Sequence, residues 1–452
     1  MSQINRIDGG LIDQEKVLNF TFNGQILKGY EGDTLASALL ANNKHLIGRS
    51  FKYHRPRGIV TAGSEEPNAI MEIGNGAYRE PNTRATVTQL YNGLEANSQN
   101  HRGPLSFDFM AITDFLSPLL GAGFYYKTFM WPKAFWEKFY EPAIRKSAGL
   151  GTLSTEADPD TYDKGFRHCD ILIIGSGATG LSAALTAAES GAKIILADED
   201  FLMGGRLNSE TNEIDGIAGS EWAKKTVAKL GAMENVTLMS DTTIFGAYDH
   251  GIYGAIENRA SEAREDNDKP RQVNWRIYTK RAILCAGATE RLIAFGNNDR
   301  PGIMLASAVR TYLNRFAVAT GQRISVYTNN DDGWKTAKDL NAKGFRVAAV
   351  IDSRSISPVM RVPGAEICMG TDVVDTKGRR ALKSIQLSNG KSIDTDTLAV
   401  SGGWNPNLHF TCHHRGVPKW NEEIASFVPD SSPPVGMSVA GRAKGTMVLA
   451  DA

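Results

Sequence analysis

Cysteine is scarce in this chain: 452 residues contain four, at Cys169, Cys285, Cys368 and Cys412, with no CxxC pair and no repeated spacing. That scatter excludes a disulfide framework and a structural zinc site, and it fits reduced thiols in a cytoplasmic protein. The adjacent Cys412, His413 and His414 give no metal site, because neighbours on a chain rarely converge on one ion. Charge of one sign is missing as well. Lys plus Arg and Asp plus Glu each number 50, so nothing points to nucleic acid or an anionic membrane. No run approaches the roughly 20 apolar residues of a spanning helix. The polar opening MSQINRIDGGLIDQEK has no apolar core of the kind a secretory signal needs.

What is present falls into segments of different character. VLNFTFNGQILKGYE, 17–31, carries two alternating apolar runs around Asn23-Gly24, a pair suited to a type I′ turn. Asp33 or Thr34 can then cap a helix with Leu35, Ala38, Leu39 and Ala41 on its apolar face. Hairpin then helix is how a small ferredoxin-like β-grasp domain begins, and a strand-like run follows around Ala69–Ile73. Residues 105–140 are dense in Phe, Tyr and Trp, which suits either a connecting segment packed on its neighbours or an interface with another subunit. From Phe166 the pattern is β-α-β, and 323–354 repeat it between RAILCAGATE (281–290) and TDTLAVSGGWNP (395–406). The expected division is 1–100, a ferredoxin-like domain; 101–165, the aromatic segment; 166–300 plus 391–452, a dinucleotide-binding domain; and 301–390, an inserted degenerate Rossmann-like domain.

The strongest signal is IIGSGATG, 173–180. An apolar strand, Asp170–Ile174, runs into Gly175, Gly177 and Gly180 at GxGxxG spacing; a helix from about Thr179 to Ser190 and a second strand, Lys193–Ala197, follow. The glycines serve a tight turn, close approach to a pyrophosphate, and close helix-on-strand packing. Helix-start N–H groups face the phosphates. Asp198 is placed for an adenosine ribose and would repel a 2′-phosphate, which argues against NADP. Gly204-Gly205-Arg206 resembles the GGR element of two-dinucleotide-type flavoproteins. RAILCAGATE resembles their strand-end motif, with Ala286, Gly287 and Thr289. VAGRAKG (439–445) resembles their closing motif, but Arg442 stands where an acid usually holds the flavin's ribityl–phosphate region, which weakens a flavin reading. In the insertion YTNNDDG replaces the glycine loop, and Asn and Asp there would obstruct and repel a pyrophosphate. The fold class is α/β: a two-dinucleotide-binding, Rossmann-like domain of FAD/NAD(P) type with an inserted second Rossmann-like unit, preceded by an α+β β-grasp domain lacking cluster cysteines.

Taken together, SFKYHRPRGI (50–59), AGFYYKTFMWPKAFWEKFYEPAIRKSAGLG (122–151), VYTNNDDG (326–333) and LAVSGGWNPNLH (398–409) resemble the amino-terminal half of the alpha subunits of heterotetrameric, tetrahydrofolate-dependent sarcosine oxidases. Relatives of that family hold an iron–sulfur cluster in the ferredoxin-like module. Residues 1–100 offer no thiolate, so no iron–sulfur cluster is expected. The resemblance implies NAD in the GxGxxG site in a structural role, with sarcosine oxidised at FAD in a beta subunit, electrons passing to FMN covalently bound to beta, and O2 as acceptor. FAD and FMN would then lie on, or be shared with, that partner, and gamma and delta subunits would complete the complex. The implied nucleotide contacts are Gly175, Gly177, Thr179, Gly180, Asp198, Glu199, Gly205, Arg206 and Gly287, with the strand around Ile244 and the closing loop at Gly441 and Thr446. The family continues into a folate-binding domain that this sequence does not include, so the methyl carbon is expected to reach tetrahydrofolate only if another chain supplies that domain, and otherwise to leave as formaldehyde. No catalytic residue is assigned, because none of the eight histidines sits in a triad-like pattern. Two alternatives stand beside this reading: an FAD-binding subunit of an amino-acid or opine dehydrogenase-like complex, and a non-catalytic scaffold.

Overall fold

The computed structural model describes residues 3–124, 131–147, 149, 151–259, 269–356, 358, 360–430 and 433–451. Asn23 and Gly24 take φ of 50° and 75° and close the antiparallel pair Asp13–Phe22 and Gln25–Glu31, as their residue types predict. Thr34 caps the helix Leu35–Ala41 in a capping box with Ser37, and every residue of that helix is buried. It is covered by a five-stranded sheet in the order Gln25–Glu31, Asp13–Phe22, Glu95–Ser98, Ile70–Ile73, Glu80–Arg84. This is the β-grasp arrangement.

The chain divides into two units, residues 1–159 with 293–401 and residues 160–292 with 402–452. In the first, the β-grasp part shares one hydrophobic core with the inserted Rossmann-like part: Leu35, Leu39 and Met71 belong to the same cluster as Tyr312, Phe316 and Trp334. The insertion is a five-stranded parallel sheet, ordered Ile303–Leu305, Thr397–Ser401, Ile324–Thr328, Val347–Asp352, Glu366–Met369. Polar ties reinforce the shared core. The buried Tyr312 hydroxyl donates to the Thr61 carbonyl at 2.8 Å, and Leu305 N donates to the Val60 carbonyl at 2.8 Å. Of the aromatic run, Phe107, Phe109, Phe115 and Trp131 are exposed; residues 125–130 of it lie outside the described residues.

The second unit is built on a seven-stranded sheet. Val236–Met239, Ile194–Ala197, Tyr162–Ile174 and Gln272–Leu284 pair in parallel, and Ile252–Asn258 and Thr242–Tyr248 extend it antiparallel. Met437–Val439 pairs with the last residues of Gln272–Leu284. The strand expected at Asp170–Ile174 begins eight residues earlier. Residues 162–169 pair with 272–279, but they are mostly exposed or half-buried and so carry no apolar run. The helices Ala178–Glu189 and Gly219–Gly231 pack on the sheet through Leu181, Ala184, Ala223 and Leu230.

One ion cluster in the first unit has a pH signature. Asp299 accepts from Arg55 Nε and Nη2 at 2.7 and 2.8 Å and from Arg57. Burial alone would raise its carboxyl, but the two guanidiniums hold it at about 2. A depressed carboxyl contributes stability above its unfolded pKa, and that stability is lost as pH falls through the folded value. Asp299→Asn is therefore expected to lower stability by about 2 kcal/mol at neutral pH and to flatten the decline between about pH 4 and 2, read as urea midpoints across that range.

Candidate nucleotide site

The three loop glycines meet three different surroundings. Gly175 has φ 98°, and a Cβ there would sit 2.5 Å from the Cys285 carbonyl oxygen. A Cβ on Gly180 would lie 1.8 Å from the Gly175 carbonyl oxygen, so the helix can close onto the strand only without a side chain. Around Gly177 a Cβ would meet nothing within 4 Å. Gly177 is also the N-cap of Ala178–Glu189 and makes no side-chain cap hydrogen bond. The first turn of that helix therefore has no side-chain cap from its N-cap residue, and the space beside Gly177 Cα is open.

Ser176 is the junction of the site. It is fully buried. Its N–H and its hydroxyl both donate to Asp198 Oδ2, at 2.5 and 2.6 Å, and its Oγ accepts from Gly204 N at 3.1 Å. One side chain thus ties the glycine loop to the end of Ile194–Ala197 and to the GGR segment. Asp198 Oδ1 accepts from Asp200 N at 2.9 Å. Burial pushes the Asp198 carboxyl above the ordinary aspartate value, against the opposing pull of the Ser176 and Asp200 bonds. Glu199, next along, is exposed.

Two further loops bear on the first turn of the helix. A Cβ on Gly205 would lie 3.0 Å from Gly177 Cα, and one on Gly441 would lie 2.4 Å from Thr179 Oγ1. Thr446 N donates to the Gly441 carbonyl at 3.1 Å and shapes the closing turn. Each of these glycines is followed by an arginine. Arg206 Nε donates to Glu210 Oε1 at 2.5 Å, and Arg442 Nη1 lies 3.3 Å from the same oxygen. Both guanidiniums lie against the Trp404 ring, at 4.0 and 5.3 Å from its centroid.

Gly287, at φ 70°, also has open space where a Cβ would stand. Asn407 braces that turn: its Nδ2 donates to the Ala286 carbonyl at 2.9 Å, its N donates to the Gly287 carbonyl at 3.0 Å, and its Oδ1 accepts from Thr289 Oγ1 at 2.9 Å.

The residues read from the sequence thus divide. Gly175, Gly177, Thr179, Gly180, Gly205 and Gly441 come together by direct approach, and Asp198 joins them through Ser176. Arg206 and Thr446 stand on the loops that approach them. Ile244 is buried in the core cluster containing Ala197 and Met239. Motif reading missed Ser176, Glu210, Trp404 and Asn407. Glu210 had a signal, because it stands four residues after Arg206 at helical spacing; Trp404 and Asn407 had none beyond their place in SGGWNPN. Cys285 is no nucleophile, since burial pushes its thiol up to about 12. Among the described residues no group of three or more His, Cys, Asp or Glu is arranged to hold a metal ion, and no helix is long and apolar enough to cross a membrane.

The loop at the corresponding place in the insertion keeps the spacing and loses the opening. Thr328, Asn330 and Gly333 stand where the three glycines would be. Gly333 is still required, since a Cβ would lie 2.4 Å from Thr328 Oγ1. Asn330, however, caps the helix Asp331–Ala342 with its own side chain, accepting from Asp332 N at 2.9 Å. Asp352, at the end of the next strand, is fully buried and accepts from Trp334 Nε1 and Arg354 Nη2 at 2.7 and 2.8 Å.

With this geometry in hand, comparison with known proteins is direct. Residues 15–101 match the family model for a 2Fe-2S iron-sulfur cluster binding domain, and residues 170–276 match that for an FAD dependent oxidoreductase. The segment 15–101 contains no cysteine. The chain is 50% identical over 445 residues to a sarcosine oxidase subunit alpha of Rhizobium meliloti (strain 1021), covering 98% of this chain and 45% of that one. It is 34% identical over 442 residues to a sarcosine oxidase subunit alpha of Corynebacterium sp. (strain U-96), covering 93% of this chain and 41% of the relative. The chain therefore spans a little under half the length of these relatives. Among solved structures, L-proline dehydrogenase from P. horikoshii shares the fold, with a TM-score of 0.67 at 18% identity over 98% of this chain and 71% of that one.

The contrast between Gly177 and Gly180 can be measured without ligand. Gly180→Ala drives a Cβ into backbone and is expected to destabilise by at least about 2–3 kcal/mol. Gly177→Ala meets no atom and loses only N-cap preference, no more than about 1 kcal/mol. Urea unfolding of the two variants checks the difference.

Proposed function

Since the chain belongs to the family of sarcosine oxidase alpha subunits, of which it spans a little under half the length, we propose that its glycine loop holds NAD+ as a fixed structural ligand. In this reading the chain is the nucleotide-holding part of a complex that demethylates sarcosine oxidatively. The flavins, FAD and FMN, belong to a beta partner or are shared with it, and gamma and delta subunits complete the assembly. Glycine and hydrogen peroxide are the products there, and the methyl carbon passes to tetrahydrofolate or leaves as formaldehyde. The setting is the cytoplasm, and the β-grasp part carries no cluster.

The observation that carries the reading is the open cradle at Gly177 beside an uncapped helix start, with Gly175 and Gly180 closed tightly around it. The helix N–H groups and Gly177 would hold the diphosphate, with Arg206 and the loops at Gly205, Gly441 and Thr446 at its rim. Asp198, whose Oδ2 is committed to Ser176, would offer Oδ1 to a ribose hydroxyl, with Glu199 beside it. Gly287, held by Asn407, would allow close approach further along the ligand. When bound, the dinucleotide supplies binding energy that stabilises the folded unit by mass action. Every step of amine oxidation lies outside this chain.

A second reading has its own support. The match of residues 170–276 to FAD dependent oxidoreductases favours a flavin on this chain. Arg442, held by Glu210 where flavoproteins usually carry an acid, weighs against it. Denaturing the purified chain and measuring the mass and absorbance of what is released decides between them. NAD+, absorbing only in the ultraviolet, is the expected product; a yellow flavin overturns the proposal. Asp198→Ala is expected to fold and to retain less than about a tenth of the wild-type nucleotide, in line with the loss of a charge-assisted hydrogen bond. Undiminished content would remove the ribose assignment.

A further inference from the structure

We propose that Arg442 is a specificity-determining residue of this site, acting with Arg206 as a two-guanidinium clamp for the diphosphate of the bound nucleotide. The inference rests on the reading that the glycine loop holds a dinucleotide and assigns a role to a residue that motif comparison registers only as a lost acid. The two arginines come from loops far apart in the chain, yet each follows a glycine whose backbone touches the first turn of Ala178–Glu189, Gly205 at Gly177 and Gly441 at Thr179. The two loops therefore close on neighbouring residues of the helix start, and their guanidiniums meet side by side at Glu210 Oε1.

Their side chains are pre-arranged. Glu210, 6% exposed at its side chain, takes Arg206 and Arg442 on one oxygen and Asn212 Nδ2 on the other, at 2.5 Å. Trp404 forms a plate beneath both guanidiniums. Arg442 Nε donates to the Met447 carbonyl at 3.3 Å, which sets its direction within the closing turn. Two guanidiniums, one carboxylate and a helix start together favour an anion, and a diphosphate offers the matching oxygens. A carboxylate at position 442 would face Glu210 across the same gap and be repelled. Glu210 and Arg442 thus work as a pair, each making the other acceptable.

The test measures ADP, NAD+ and adenosine binding to the full chain stripped of nucleotide, by calorimetry and by ligand-induced thermal shift. Arg442→Ala is expected to weaken ADP and NAD+ by a similar factor of about ten or more and to change adenosine by less than about threefold, because only the diphosphate meets the guanidinium. Arg442→Lys is expected to recover part of the ADP loss, and raising salt is expected to shrink the difference between wild type and Arg442→Ala. If the alanine variant does not fold, Arg442→Gln, which keeps the stem over Trp404, serves in its place. Equal weakening of adenosine and ADP would show a merely structural residue and overturn the proposal, as would unchanged ADP binding. Wild type that binds neither ADP nor NAD+ removes the dinucleotide reading itself, which separates the two failures.

Discussion

The second unit depends on a contact that leaves no room for a side chain: the start of Ala178–Glu189 closes onto the Gly175 carbonyl, with the Cys285 backbone behind it. Close-packed interiors do not absorb a displaced backbone cheaply, so this contact fixes where the helix begins and hence where its N–H groups point. Ser176, buried between the two glycines, uses that fixed position. Its three hydrogen bonds set the height of the Asp198 carboxylate and of Gly204 relative to the loop. The GGR segment can then approach Gly177 without touching it by side chain. The order of dependence runs from glycine contact to serine junction to arginine rim.

Features written in adjacent residues were legible in the sequence. Asn23-Gly24 specifies its turn through φ alone, Thr34 caps through its own hydroxyl, and the glycine spacing of 173–180 encodes a local strand–turn–helix. Features that depend on distant partners were not. Residues 162–169 form a strand only because 272–279 pair with them. The core shared by Leu35, Tyr312 and Trp334 joins segments some three hundred positions apart, each of which reads from sequence as the core of a separate domain. Within the site, Asn407 and Trp404 act on 286–289 and on Arg206, neighbours that no spacing in SGGWNPN announces.

The two glycine-type loops separate what the fold needs from what a ligand needs. Both retain the third glycine, because in each the helix must approach the preceding strand within contact distance. That requirement belongs to βαβ packing alone. They differ at the second position. Gly177 leaves the helix start without a side-chain cap, whereas Asn330 closes its helix with its own carboxamide oxygen. The acid at the end of the following strand differs as well: Asp198 is half-buried, with Oδ1 accepting from Asp200 N, and Asp352 is fully buried under Trp334 and Arg354. A helix start that has satisfied itself gains less from an anion, since the N–H groups that would bind it are already engaged.

The closing loop adds a constraint of sign. An acid after Gly441 would suit a neutral, hydroxyl-rich ligand segment, since a carboxylate accepts from hydroxyls and repels phosphates. Arg442 reverses this, and the reversal is not isolated, because Glu210 stands where a second acid could not be tolerated. A lone arginine turned toward a half-buried rim would bear a desolvation cost with nothing to offset it. Here the carboxylate, the Trp404 ring and the Met447 carbonyl offset it before any ligand arrives. The rim is therefore organised for negative charge in advance, and a ligand that brings a diphosphate meets donors whose orientation is already fixed.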